Sequence, residues 1–125
     1  MIRGIGVDTI EINRIRENIE TLGTRFLEKV FTDSEIAYCS AKANSAQHFA
    51  ARFAAKEAVS KALSTGWAGE FRWRDVELTN DPSGQPRISV HGPLREKLAG
   101  ASVLVSISHS HSDVVAMVII EGDAP

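Results

Sequence analysis

The chain opens with a short strand pattern followed by a helical one. Residues 2–7 are β-branched and glycine-bearing, which predicts a strand that stops at Asp8 and Thr9. Isoleucine and leucine then recur every three or four residues, which predicts a helix over 10–22 with one apolar stripe. Gly23 is a natural end for that helix.

Three more helical segments are predicted before the middle of the chain. A helical turn is expected over 25–30, and Thr32 and Glu35 have the spacing of a capping box that begins another short helix. After a small polar connection, the longest helix is predicted over 46–63, where seven positions are alanine. Gly66 is a plausible cap after it. Alanine lets a neighbouring backbone approach closely, so we expect this helix to be partly buried.

The second half reads mostly as strands. Phe71 and Trp73 are apolar at odd positions, whereas Val76 and Leu78 are apolar at even positions. This change of phase predicts a strand with a bulge near 74–75. The turn-rich segment 80–86 predicts a hairpin. Further elements are expected at a return strand over 88–90, a helix over 93–99, and a second hairpin of strands over 103–108 and 114–120. The order predicts an α+β fold with a mainly antiparallel sheet packed against the long central helix.

Composition narrows the function classes. A chain of 125 residues with 43% hydrophobic and 24% charged residues is an ordinary single globular domain. The net charge of −2 argues against a duplex nucleic-acid binder. No apolar run is long enough to span a bilayer, and the lone Cys39 suggests a reducing compartment, so we expect no membrane partner and a cytoplasmic location.

Asp8 is the first candidate for chemistry. With Glu11 it has a capping spacing, and aspartate is a leading helix N-cap, so a cap is the simpler interpretation. The alternative is a hard oxygen ligand for Mg²⁺ presented at the end of a strand.

Glu57 and Lys61 are the second candidates, because they lie one turn apart on a helix face that otherwise carries alanine. They could form an ordinary surface pair, or a buried pair that binds something. Arg52 and Lys56 add positive charge to the same helix. Helix geometry alone leaves both interpretations open.

Two other groups are weaker signals. His109 and His111 lie in a serine-rich segment that could ligate a metal, hold a phosphate, or simply form a polar turn. Basic residues near the first two helices could form a solvated face or dock an acidic protein: Arg14, Arg16, Arg25 and Lys29. The sequence lacks the generic phosphate-binding and hydrolase signatures. It contains no P-loop, no complete dinucleotide fingerprint and no serine nucleophile elbow.

Taken together, five blocks of the sequence resemble the holo-[acyl-carrier-protein] synthases, the short-chain bacterial 4′-phosphopantetheinyl transferases. The blocks are 1–8, 11–15, 31–35, 49–62 and 106–110, and they occur in the family's order over nearly the whole chain. One departure is Ser64-Thr65-Gly66, where the family usually has Gly-Thr-Gly. Serine keeps a small side chain there and adds a hydroxyl that a phosphate could contact.

The resemblance implies a fold, a reaction and an assembly. It implies the 4′-phosphopantetheinyl transferase fold and transfer of the phosphopantetheine arm of coenzyme A to a serine of apo acyl carrier protein, an acidic protein. Adenosine 3′,5′-bisphosphate is the expected leaving product and Mg²⁺ the expected cofactor. A homotrimer with active sites between neighbouring subunits is also implied.

Residue roles follow from the same resemblance. Asp8 and Glu57 match the metal-binding acids, and Glu57 or a metal-bound water beside it is the candidate base. Lys61 matches the catalytic lysine that contacts a phosphate. The residues expected to bind coenzyme A are Arg52, Lys61, Ser64, Gly66 and His109. Those expected to dock the carrier protein are Arg14 and Arg25.

Two other functions remain open at this level. A Mg²⁺-dependent nucleotide phosphohydrolase could use the same two acids and would cleave coenzyme A with no acceptor present. A non-catalytic trimeric module could bind acidic carrier proteins without needing Mg²⁺ or coenzyme A.

Overall fold

A computed structural model describes residues 1–63 and 71–122 and confirms the predicted α+β class. Its elements are β1 (Ile2–Glu11), α1 (Ile12–Leu22), α2 (Thr24–Val30), α3 (Asp33–Ser40), α4 (Ser45–Leu63), a 3₁₀ turn (Trp73–Asp75), β2 (Val76–Asn80), β3 (Pro86–Val90), α5 (Gly92–Lys97), β4 (Ala101–His109) and β5 (Asp113–Gly122). The segment expected to contain the Gly66 cap lies outside the described residues. Of the helices described, none is both long and apolar enough to cross a membrane.

The main sheet is antiparallel, with β5 in the centre and β1 and β4 at its edges. Its register places Ala116 between Asp8 on β1 and Ile107 on β4. β2 and β3 form a separate two-stranded hairpin rather than extending the same sheet. The predicted hairpins are therefore both present, in two sheets.

The long helix α4 packs on one face of the main sheet, over β1 and β5. Alternate residues of β5 face it and are fully or almost fully buried, as strand geometry requires: Val114, Ala116, Val118 and Ile120. Two glycines of β1 allow unusually close contact with the helix. A Cβ at Gly4 would overlap the carbonyl oxygen of Ala62, and one at Gly6 would overlap that of Ala58. The alanines of α4 and the glycines of β1 together form a seam in which backbone meets backbone.

The opposite face of the main sheet is largely apolar along β1 and β5, and within 1–63 and 71–122 nothing covers it. Ile5 and Val7 of β1 are 60% and 55% exposed. The other large apolar side chains exposed on these three strands are Ile2, Leu104, Val115 and Met117. We call these six residues the outer sheet face. An exposed apolar patch of this kind is characteristic of a surface that another protein covers.

The structure corrects the predicted cap at Asp8. β1 continues past the expected stop, because its ladder with β5 extends from Asp8 opposite Ala116 to Glu11 opposite Asp113. Helix α1 begins only at Ile12, and its N-cap residue makes no side-chain capping bond. Pairing with a full-length neighbour outweighs the local capping signal, so Asp8 is a strand residue whose carboxylate caps no helix.

The predicted bulge near 74–75 is also wrong. Trp73–Asp75 form a 3₁₀ turn, closed by a hydrogen bond from the Asp75 N–H to the Arg72 carbonyl. Tertiary contact explains the difference, because the ring of Trp73 stacks on Phe53 of α4 at 5.1 Å between centroids. The capping box at Thr32 and Glu35 is confirmed.

Candidate functional site

Asp8 and Glu57 lie 49 positions apart in the sequence, on β1 and α4, and the fold brings them together. The glycine seam holds the two elements in contact, so a side chain that faces α4 from β1 reaches the helix directly. Asp8 faces that side, in phase with Gly6 and Ile10, and its side chain is only 14% exposed. The acids are neighbours in the electrostatic sense as well, because the charge of Asp8 raises the pKa of Glu57.

Lys61 reaches across to β1. Its Nζ donates to Oδ1 of Asp8 and to the carbonyl of Val7, each at 3.1 Å. The i,i+4 surface pair with Glu57 is therefore not what this lysine forms. Its side chain remains 54% exposed, so the ammonium can also contact a ligand.

The charge state of Glu57 reflects its surroundings. Burial is the main cause that raises the pKa of Glu57, and the negative charge of Asp8 raises it further. The positive charges of Lys61 and Arg14 act in the opposite direction. Asp8, Glu57, Lys61 and Arg14 thus form one electrostatic unit, which we call the carboxylate site.

The donor set of the carboxylate site suits Mg²⁺. Carboxylate oxygens are the ligands that this ion prefers, and it usually keeps several other positions for water and substrate phosphates. Two carboxylates that repel one another are the arrangement a divalent cation relieves. Across 1–63 and 71–122, no three histidine, cysteine, aspartate or glutamate side chains gather around one point. Asp8 and Glu57 would therefore hold the ion with ligands completed by water or substrate.

A second polar site lies on the other side of α4. It is a pocket of about 300 Å³ between α3, α4, the β2–β3 hairpin and the end of β4. Its polar lining residues are Tyr38, Gln47, His48, Arg52, Asn80 and His109. We call it the histidine pocket. The pKa of His48 is lowered by burial and by the nearby positive charge of Arg52.

Arg52 is the unusual group in the histidine pocket. It is 3% exposed, and its guanidinium donates to Oδ1 of Asn80 at 3.0 Å and lies 4.6 Å from the ring centre of Tyr38. Its buried Nε has no hydrogen-bond partner, and none of the ion pairs in the described part of the chain involves it. A buried guanidinium without a carboxylate is suited to an anionic ligand.

The sequence did not point to Tyr38, Gln47, His48 or Asn80 as lining residues. His48 could have been found, because it precedes Arg52 by one helical turn. Tyr38 and Asn80 come from α3 and β2, and no local pattern links them to α4.

The remaining expected residues lie in different places. Arg25 lines a pocket of about 380 Å³ on α2, and its rim also carries Lys29. The apolar residues of this pocket are Leu22, Phe26, Val30, Phe53 and Trp73. We call it the α2 pocket. Ser64 and Gly66 lie outside the described residues. His111 is exposed in the turn after β4, where the Ser110 hydroxyl accepts backbone N–H bonds, which supports the polar-turn interpretation.

One chain does not bring the carboxylate site and the histidine pocket together. Arg52 and Glu57 are five residues apart on α4, so their side chains leave the helix about 140° apart. Asp8 and His109 are on opposite edge strands, whose axes are about 10 Å apart, and α4 lies over the sheet between them.

Comparison with known proteins identifies the family. A family model described as the 4′-phosphopantetheinyl transferase superfamily matches residues 4–117. A holo-[acyl-carrier-protein] synthase from Koribacter versatilis is 44% identical over 124 residues, covering 97% of this chain and 99% of that protein. The chain belongs to the holo-[acyl-carrier-protein] synthase family. The resemblance noted in the sequence is confirmed.

Solved structures of holo-[acyl-carrier-protein] synthases share the fold. The enzyme from Neisseria meningitidis matches with a TM-score of 0.85 and 31% identity, over 97% of this chain and 99% of that one. One from Bacillus anthracis, in complex with CoA (3′,5′-ADP), matches with a TM-score of 0.81 and 36% identity, over 98% and 99%. The fold implied by the resemblance is thus confirmed.

Proposed function

We propose that this chain transfers the 4′-phosphopantetheine group of coenzyme A to a serine of apo acyl carrier protein at the carboxylate site, with Mg²⁺ bound by Asp8 and Glu57. Family membership supports the reaction. The observation that supports the site is the meeting of Asp8, Glu57 and Lys61 across the seam between β1 and α4. Adenosine 3′,5′-bisphosphate is the leaving product.

The residues of the carboxylate site have distinct tasks in this proposal. The serine oxygen forms a bond to the phosphorus next to pantetheine, and the bond from that phosphorus to the bridging diphosphate oxygen breaks. Glu57, or a water beside it, takes the serine proton. Lys61 holds a phosphate oxygen with its exposed ammonium. When bound, Mg²⁺ supplies the positive charge that neutralises the diphosphate.

The histidine pocket would bind the nucleotide end of coenzyme A. Arg52 offers a buried positive charge without a carboxylate partner in the described part of the chain, and His109 lies at the mouth of the same pocket. An anionic phosphate fits that chemistry. Ser64 and Gly66 remain predicted contacts.

The separation of these two sites supports shared active sites in a homotrimer. The outer sheet face gives each chain an uncovered apolar surface for contact with a second copy. Assembly through that face could bring the carboxylate site of one subunit near the histidine pocket of its neighbour. A single coenzyme A would then contact both.

Carrier-protein docking is assigned to Arg14, Arg25 and the α2 pocket. Arg25 and Lys29 are exposed beside an apolar pocket, and Arg14 is exposed on the preceding helix. This combination fits an acidic helix with apolar residues on the same face.

The test of the proposed function is a mass measurement on the carrier. Apo acyl carrier protein incubated with the chain, coenzyme A and Mg²⁺ should gain the mass of one phosphopantetheine, and chelation of the metal should prevent the gain. An unchanged carrier mass with a folded enzyme would reject the transferase. Cleavage of coenzyme A without carrier would favour the phosphohydrolase, and carrier binding that needs neither ligand would favour the binding module.

A further inference from the structure

A buried ion pair lies at the junction of α3, α4 and the segment 73–76. The side chains of Lys56 and Glu35 are both 0% exposed, and Nζ of the lysine is 2.8 Å from Oε1 of the glutamate. Burial lowers the pKa of Lys56, and the charge of Glu35 opposes that shift. Nothing in the proposed chemistry uses this pair directly.

The lysine ammonium also contacts two backbone carbonyls of the segment 73–76. Besides Glu35, its Nζ donates to the carbonyl of Trp73 at 3.0 Å and to that of Val76. Glu35 in turn accepts the backbone N–H of Leu78 at 2.9 Å. The pair therefore holds the 3₁₀ turn and the start of β2 against α3 and α4.

Buried ion pairs are a poor way to increase stability. Removing two charges from water costs about as much as their attraction returns, and apolar residues of similar size often serve as well. This pair also binds the carbonyls of Trp73 and Val76. Its more specific effect is therefore to determine where the segment 73–76 lies.

The segment in question forms a wall of the α2 pocket. Trp73 lines the same pocket as Arg25, and its ring stacks on Phe53 with an angle of 22° between the planes. The Trp73 carbonyl is one of the two that Lys56 holds. The backbone anchor and the pocket wall thus belong to the same residue.

We propose that Lys56 and Glu35 are positioning residues for carrier-protein recognition: together they hold Trp73 in place as a wall of the α2 pocket. This inference rests on the proposed function, in which that pocket receives the carrier. It assigns a task to two buried charges that neither touch substrate nor belong to the carboxylate site.

The test separates positioning from stability by steady-state kinetics. Lys56→Met should raise KM for apo carrier protein by roughly tenfold, with KM for coenzyme A changed less than about twofold. Val118→Ala, a core truncation in β5, is the control for lost stability and should change neither KM. A carrier KM that is unchanged in Lys56→Met, or raised equally in Val118→Ala, would overturn the proposal.

A second variant avoids leaving a buried carboxylate alone. Lys56→Met with Glu35→Gln removes both charges, and here the melting temperature should recover relative to Lys56→Met while the carrier KM stays high. Recovery of both would overturn the positioning role. If the double variant does not fold, Glu35→Asp keeps the charge, shortens its reach and is expected to raise the carrier KM alone; an unchanged KM would equally overturn it.

A spectroscopic measurement follows the wall itself. In a Trp67→Phe background Trp73 is the single tryptophan, and Lys56→Met should make its fluorescence easier to quench with acrylamide than Val118→Ala does. Equal quenching in the two variants would count against the proposal. If the wild-type chain cannot modify any carrier, the proposed function is refuted. The fluorescence comparison then still shows whether Lys56 holds Trp73 in place.

Discussion

At the scale of single residues, the decisive observation is that Lys61 of α4 bonds to a residue on β1. Spacing along α4 left a surface pair with Glu57 as one of two open interpretations, but the ammonium bonds to Asp8 on β1. Glu57 is left partly buried next to a second negative charge, and its pKa is raised. Two carboxylates close together are unfavourable, because like charges repel. The proximity of Asp8 and Glu57 therefore indicates a functional role and not a stabilising surface pair.

Glu57→Gln should abolish transfer without harming the fold. The folded chain binds a proton at Glu57 more tightly than the unfolded chain does, so the ionised side chain lowers the free energy of unfolding at neutral pH. The amide removes that penalty, and we expect a melting temperature at least as high as that of the parent. Transfer should fall by about 10²-fold or more in the mass-shift assay. The matched control is Glu20→Gln on the exposed side of α1, which should keep full activity.

Lys61→Met should raise the pKa of Glu57 further. The positive charge of Lys61 favours the ionised carboxylate, and its loss leaves burial and Asp8 less opposed. Carbon-13 NMR of the Glu57 carboxyl as a function of pH measures this without relying on activity. In Lys97→Met, on α5, the titration should match the parent. A lowered pKa in Lys61→Met would show that the lysine does not act on Glu57 in this way.

At the scale of elements, the seam between β1 and α4 determines the geometry of the carboxylate site. Gly4 and Gly6 leave no room for a side chain, since the helix backbone occupies the space where a Cβ would lie. The acids therefore meet because two backbones touch, and not because either element carries a recognisable metal motif.

Gly6→Ala should separate β1 from α4 and weaken both stability and transfer. We expect a loss of about 1–3 kcal/mol in the free energy of unfolding, typical of an overpacked core, measured by denaturant titration. Adding Ala58→Gly should not rescue the variant, because the obstacle is the carbonyl oxygen of residue 58 and not its side chain. Thr9→Ala, at an exposed position of the same strand, is the control. Full rescue by the second change would contradict this account.

The helices and strands with a clear period could be predicted from the sequence, and long-range contacts could not. The α4 helix was expected within one residue of its observed start, and the capping box at Thr32 was found. The missed end of β1 and the false bulge near 74–75 share a cause: in each, a partner elsewhere in the chain outweighed the local signal. Asp8 and Glu57 were proposed as a pair through a family resemblance, because spacing alone left each ambiguous.

At the scale of the whole molecule, the outer sheet face and the separation of the two polar sites both favour association of subunits. A chain with an uncovered apolar sheet and two half-sites on opposite sides of one helix is suited to completing its active site by association.

Mixing two inactive variants should restore transfer if the active sites are shared. Glu57→Gln removes the carboxylate half and His109→Ala the nucleotide half, and mixed trimers would contain interfaces with both halves intact. Exchange of subunits followed by the mass-shift assay should recover roughly a tenth or more of the parent rate.

A matched control blocks that recovery. Adding Val7→Lys to both variants places a charge on the outer sheet face, which should prevent association and keep the mixture inactive. Light scattering should then give the mass of a single chain, about 13.6 kDa. No recovery in the mixture without Val7→Lys, although its subunits exchange, would place both halves within one subunit.

If subunits share active sites across the uncovered sheet, the rate of the reaction also depends on the enzyme concentration. If each turnover needs two neighbours, specific activity is constant at high concentration and falls when dilution drives subunits apart. Coenzyme A bound across the boundary would resist that dissociation, so substrate would preserve the catalyst that consumes it. A cell that makes little of this chain would then lose activity faster than it loses protein.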